Sequence, residues 1–352
     1  MADYRSQFRE LLESTYISSL ESEESIVRKM TAFFNAVIPF IPERLYRFRK
    51  MDEKGYSVDA FRNGTITLCK ASLFPDKYDS QVFIDNHKIK NELVKYLREA
   101  MSFVLKDINQ KNPAIKTEKA SKIYYYKECG LSDKQIIEKI VEEEYADIIS
   151  TIEIEMKGRE PRFRIAERTA RVACFTESVQ SKFMWDVYAG GYTGFALEYN
   201  LRKYFTKSLE HLQQVYVFPV IYSDTKPDLT DVEFNNYVME QCAVREEMKG
   251  LMPIIQKMSF NLISPFKPFL YKDKQAYEHE WEWRMLYYEL GLVEDVVLKS
   301  DNDCLTGIFY GPDIREADRA LLHTIAMEKG IKESIVSLDK ESRRFDLMVL
   351  DY

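Results

Sequence analysis

Seven residues from three distant stretches of this sequence have the types that polar chemistry needs. They are Arg47 and Arg49 in Leu-Tyr-Arg-Phe-Arg, Trp185 and Tyr188 in Met-Trp-Asp-Val-Tyr, and Glu280, Glu282 and Arg284 in Glu-Trp-Glu-Trp-Arg. On an extended strand, side chains alternate between faces, so Glu280, Glu282 and Arg284 share one face and Trp281, Trp283 and Met285 the other. The tryptophan face is expected to pack into the core. Two carboxylates at i and i+2 repel each other and raise one pKa unless cations stand opposite, and Arg284, Arg47 and Arg49 are the candidates. A fixed carboxylate stabilises the cation that develops when a glycosidic bond breaks. A guanidinium fork holds a phosphate through paired contacts. The same residues also suit a purely structural charge network across a sheet.

The elements that must position them follow from the patterning. Two helices are expected first, Tyr4 to about Ser19 and Ile26 to about Val37, the second ended by Pro39 and Pro42. Leu45–Arg49 alternates as a strand does, with Arg47 and Arg49 on one face and Tyr46 and Phe48 on the other. A short helix near Val58 and the Asn63-Gly64 turn lead to a strand over Thr65–Cys69. From about Asp85 to Arg168 the chain is rich in Lys, Glu, Ile and Tyr at helical spacing, which predicts a helical insertion. Within it, Ser132 to Gln135 has capping-box spacing and opens a helix with an apolar stripe of Ile136, Ile137, Ile140, Val141 and Tyr145. Strand patterns return at 171–175, 194–199 and 215–222, with a helix at 181–189 between the first two. A helical segment over 232–260, strands at 281–288, 296–298 and 306–310, a helix at 315–329 and a closing strand pair complete the chain.

Strands and helices do not alternate strictly, so the fold class is α+β, a mixed, largely antiparallel sheet with packed helices and a helical insertion. The expected organisation is an N-terminal helical segment (1–44), a core (45–84 with 169–352) and the insertion (85–168).

Composition bounds the function. The 352 residues carry a net charge of −7, which gives no overall basic field for general duplex nucleic-acid binding. No apolar run is long enough to span a bilayer, and the charged N-terminus lacks the pattern of a secretory signal. The five cysteines are scattered without a CxxC pair, which suits reduced thiols, and a cytoplasmic location is expected. There is no P-loop, GxGxxG, GxSxG or HExxH. His87, His211, His279 and His323 show no zinc-ligand spacing, and His279 is expected to point away from Glu280.

Four segments in order resemble the bacterial family known as domain of unknown function 2971. They are Leu45-Tyr-Arg-Phe-Arg49, Leu73-Phe-Pro-Asp-Lys-Tyr-Asp79, Cys174-Phe-Thr-Glu-Ser178 running on through Met184-Trp-Asp-Val-Tyr-Ala189 to Gly194-Phe-Ala-Leu-Glu198, and Glu280-Trp-Glu-Trp-Arg284 followed by Gly307-Ile-Phe-Tyr-Gly-Pro312. Val187 departs from the family pattern, which has His before the tyrosine. The resemblance implies a bacterial protein with a polar cleft, acting as a toxin or in defence against phage.

The order of an early Arg, a middle aromatic element and a late Glu also resembles that of ADP-ribosyltransferases. That likeness implies NAD as the ligand, with Arg47 or Arg49 on the pyrophosphate, Tyr188 against the base, Glu282 catalytic and Glu280 orienting the acceptor or ribose. Trp185 and Arg284 complete the expected binding set, with no metal and an unidentified macromolecular acceptor. Two other classes stay open: a magnesium-dependent nuclease or phosphodiesterase built on Asp76, Asp79, Glu280 and Glu282, and a non-catalytic sensor or partner-binding protein docking through the insertion.

Overall fold

A computed structural model describes residues 4–352 apart from 19, 111–117, 159–167, 169, 211–214, 246–247, 249–258, 289–294 and 300–303. α1 (Tyr4–Ser14) buries Phe8 and Leu12, one turn apart on its inner face. It ends earlier than expected because β1 (Tyr16–Ser18) is drawn into pairing with Ser259–Asn261. α2 (Glu23–Val37) starts at Ser22, whose hydroxyl accepts the Ser25 N–H, with Glu23 and Glu24 at the positive end of the helix dipole. β2 (Leu45–Arg49), α3 (Tyr56–Asn63) and β3 (Thr65–Leu68) follow where the patterning puts them.

The insertion folds as α4 (Asn86–Asn109), α5 (Glu118–Glu128), α6 (Asp133–Glu144) and α7 (Ala146–Gly158). Asp85 caps α4 by accepting the His87 and Lys88 N–H groups, and Ser132 with Gln135 forms the expected capping box on α6. Ile136, Ile140, Val141 and Tyr145 pack into a core of their own against Leu93, Leu97 and Met101 of α4.

After the insertion come β4 (Ala170–Thr176), α8 (Lys182–Val187), β5 (Phe195–Tyr199), α9 (Leu201–Glu210), β6 (Val215–Pro219), β7 (Ile221–Ser223) and α10 (Thr230–Val244). Most of the remaining stretch to Phe260, expected to stay helical, lies outside the described residues. Then follow β8 (Ser259–Asn261), β9 (Tyr271–Asp273), α11 (Lys274–Tyr277), β10 (Glu282–Tyr288), β11 (Val296–Lys299), β12 (Leu305–Tyr310), α12 (Glu316–Lys329), β13 (Lys332–Leu338) and β14 (Leu347–Asp351).

Eight strands make one sheet in the order β14-β13-β12-β5-β2-β4-β10-β6. Within this sheet, among the described residues, only β12 and β13 run parallel, and they are the pair joined by α12, since parallel neighbours need a crossover. One face carries the main core, in which Leu45, Phe175, Trp283 and Met285 are buried with α1, α2 and α9. The other face is covered more thinly around Tyr46, Phe48, Trp185 and Phe309. Tyr237, Val238 and Cys242 of α10 join the helical core, so that layer draws on the chain beyond 85–168.

Candidate functional site

β2 and β4 are sheet neighbours yet meet at one pair alone, Tyr46 with Thr176. On their outer sides β2 is paired throughout with β5, and β4 with β10. Beyond Tyr46 the two strands part. Cys69, just past β3, bridges Val172 instead, with backbone bonds of 2.8 and 3.0 Å. The parting opens a cavity of about 260 Å³ lined by residues of both strands, the 74–79 loop, α8 and the start of β10.

Directly opposed residues on neighbouring strands send their side chains to the same face. The registers Tyr46–Thr176 and Thr176–Glu282 therefore put Tyr46, Phe48, Cys174, Glu282 and Arg284 on one face. Arg47 and Arg49 belong to the other face, and both are among the cavity's lining residues. The expectation that they stand opposite Glu280 and Glu282 as counter-ions is corrected by this register.

The counter-ions are Lys272 and Arg284. The Lys272 ammonium lies between the two carboxylates, donating to Glu280 Oε2 at 2.8 Å and Glu282 Oε2 at 2.9 Å. Arg284 Nε donates to Glu282 Oε1 at 2.7 Å, and both its Nη atoms grip Asp79. Its Nη1 also donates to the Phe269 carbonyl at 2.7 Å. Tyr188 donates its hydroxyl to Glu280 Oε1 at 2.8 Å. Burial pushes the Glu282 carboxyl up, but Arg284 and Lys272 outweigh it and hold the pKa below the usual carboxylate range. Burial alone would lower the Lys272 pKa, and the charges of Glu282 and Glu280 raise it instead. Burial and the Glu280 charge raise the Tyr188 pKa, so it stays a donor.

Glu280 reaches this cluster by a different backbone from the one the alternation implies. The strand begins only at Glu282, because Glu278–Glu280 forms a 3₁₀ turn and Trp281 stands at φ 48° in the left-handed region. The turn exposes Trp281 (48%), whereas Trp283 is fully buried as expected. Thr176 fixes the turn by donating to the Glu280 carbonyl at 2.6 Å. The Glu282 N–H donates to the Tyr222 hydroxyl at 2.7 Å.

At the other end, Arg47 Nη2 donates to the Thr67 carbonyl at 3.0 Å, and its guanidinium lies over the Phe175 ring. Its buried Nη1 has no partner among the described residues. Burial lowers the pKa of both arginines, and for Arg49 burial with the neighbouring Arg47 charge brings it to about 9. Among the described residues no carboxylate is paired to either guanidinium, and the groups that act most on them are Tyr199, Cys174 and Cys69 and, for Arg49, the Arg47 charge. Arg49 remains a cation at neutral pH, and a guanidinium such as that of Arg47 does not lose its proton in proteins.

Of the seven residues singled out, Arg47, Arg49, Tyr188, Glu280, Glu282 and Arg284 line the cavity. Trp185 does not. It is fully buried, its indole N–H donates to the Val179 carbonyl at 2.6 Å, and its ring stands edge-on to Phe48. Tyr188 reaches the cavity because it is the C-cap, where the chain leaves α8. Val187, the departure from the family pattern, is 54% exposed and lies outside the cavity lining. His279 is exposed and meets the edge of Phe183, away from the cluster. Sequence reasoning missed Lys272, which lies in an unremarkable Tyr-Lys-Asp strand; only the charge balance of the glutamate pair signals it. It also missed Asp79 as the partner of Arg284.

No curated protein and no solved structure matches this chain. Residues 184–285 match the model of the family described as Protein of unknown function (DUF2971), a segment running from α8 to the Glu-Trp-Glu-Trp-Arg strand, and this supports the likeness seen in the motifs.

Proposed function

We propose that the cleft binds a phosphorylated nucleotide, NAD first, and cleaves or transfers at its nicotinamide glycosidic bond. One observation carries the reading: the cavity is electrically polar. Four carboxylates (Asp76, Asp79, Glu280, Glu282) line one wall with two cations (Lys272, Arg284), so that wall keeps two negative charges, while Arg47 and Arg49 bring two positive charges with no carboxylate paired to them among the described residues. Phosphates suit the arginine end, where a guanidinium offers unused donors. A ribosyl cation suits the glutamate end.

The chemistry follows from that polarity. As the bond from ribose C1′ to the pyridine nitrogen breaks, its electron pair leaves with nicotinamide and positive charge develops on the sugar. Water or an acceptor hydroxyl then forms the new C1′–O bond and gives its proton to a carboxylate. Glu282 is neutralised on both oxygens by cations, whereas the Glu280 carboxylate shares Lys272 and, among the described residues, otherwise holds only the tyrosine hydroxyl. The reacting role therefore falls to Glu280, with Glu282 as its anchor. At about 260 Å³ the cavity lies just under the roughly 300–1,000 Å³ usual for small-molecule sites, so it encloses one half of a dinucleotide and leaves the rest at the mouth. The metal-dependent alternative is less well supported, because Asp79 is gripped by Arg284 and Lys272 bridges the two glutamates. A protein that consumes NAD or marks a macromolecule with it would serve as a toxin or a defence effector.

The test is nicotinamide release, or labelling of added protein or nucleic acid, from NAD by the purified chain. Glu280→Gln is expected to lower turnover by about 10²–10³-fold, the usual effect of losing an electrostatic stabiliser. Arg49→Gln is expected to weaken NAD binding by about 1.5–3 kcal/mol. A folded wild-type protein that neither binds nor consumes NAD rejects the proposal.

A further inference from the structure

The geometry points to a slot between β2 and β4 that reads an amide edge, the paired acceptor and donor of a carboxamide or of a nucleobase lactam. This deepens the reading above and rests on the cleft being the ligand site. In an antiparallel ladder the backbone N–H and C=O of one residue point to the same side, and those of the next residue to the other. Val172 exchanges both bonds with Cys69, away from β10. The backbone groups of Cys174 and Thr176 point the same way. Thr176 meets Tyr46, but Cys174, midway between two partnered residues, has no strand partner there.

The facing strand repeats the pattern. Asn200 sends its N–H to the Cys304 carbonyl, on the β12 side, so Tyr199, Leu197 and Phe195 turn theirs toward β2. They use the backbone groups of Leu45, Arg47 and Arg49. Tyr46 and Phe48 are left facing β4, and only Tyr46 finds a partner. Phe48 and Cys174 both line the cavity. Each lip of the parting thus offers one N–H and one C=O that no strand takes among the described residues.

One residue on each side is too short a stretch for an added strand. A single planar group with donor beside acceptor is the complement. A backbone donor or acceptor left without a partner is destabilising, so a ligand amide that satisfies one of each together gains on both. Apolar groups in the lining, Phe74, Met184 and Tyr188, suit the ring that would bear such an amide.

The test uses the full chain carrying ¹⁵N only in Phe and Cys, with the Phe48 and Cys174 amide signals assigned from Phe48→Leu and Cys174→Ser. Nicotinamide supplies a carboxamide and inosine a lactam; 3-acetylpyridine and N,N-dimethylnicotinamide keep the acceptor and lose the donor. The expected result is that nicotinamide or inosine, whichever source is the true one, shifts downfield the amide proton of the lip it reads, Phe48 or Cys174, while the two controls leave both in place. Controls that shift them equally, or no shift with either amide probe, overturn the slot. Shifts in a protein that consumes no NAD leave the slot standing and remove the activity, so the two failures are distinguishable.

Discussion

Lys272 is the residue on which the acidic wall depends. It is nearly sealed from solvent with both glutamates, so removing its charge leaves two facing carboxylates in a medium that solvates them poorly. Lys272→Met is expected to lower stability at pH 7 by about 3–5 kcal/mol, read from urea unfolding. The pH dependence has a definite sign. The Glu282 carboxyl titrates lower in the folded protein than at its unfolded value of about 4.3, so its stabilisation is present above that pH and fades as pH falls toward the folded value. In Lys272→Met one carboxyl binds a proton more readily when folded, so the deficit against wild type should shrink on acidification. A gap that stays constant from pH 7 to 4 would contradict this account. The sequence told which residue types gather here, and six of the seven line the cavity. It did not tell the faces, because alternation alone assigned Glu280 to the strand, and a left-handed Trp281 breaks that alternation.

At the level of elements, β2 is held in place by a close approach that needs glycine. A Cβ on Gly194 would stand 2.1 Å from the Arg49 carbonyl oxygen and 2.8 Å from that of Ala189. Gly194→Ala must push β2 or the α8–β5 turn aside. The expected cost is about 1–3 kcal/mol, as for other overpacked sites, with a loss of phosphate-ligand affinity because Arg49 moves with its backbone. Thermal unfolding and NAD titration together check it, and a destabilised protein with unchanged affinity would mean that the turn alone yields. The strands and most helices were legible in the sequence from their period and caps. Their pairing was not, since nothing local reveals that β4 is bonded to β10 along its length and to β2 at one residue.

For the whole molecule, the helical layer is less separable than its composition suggests. The boundaries 85–168 follow the run of Lys, Glu and Ile, but the layer's core also holds Tyr237, Val238 and Cys242 of α10. Deleting 85–168 uncovers those three side chains. The truncated chain is expected to associate in gel filtration, and to return toward a single species when all three are replaced by polar residues. A monomeric, unassociated truncation without those replacements would show that α10 stands alone.

The single Tyr46–Thr176 contact has a mechanical meaning. It divides eight strands into a block of five and a block of three that are laced together at one point, so small rotations there change the width of the gap with few ladder bonds to break. Whatever bridges Arg49 on one block and Glu280 on the other becomes a second stitch across the sheet, beside the core that both blocks share.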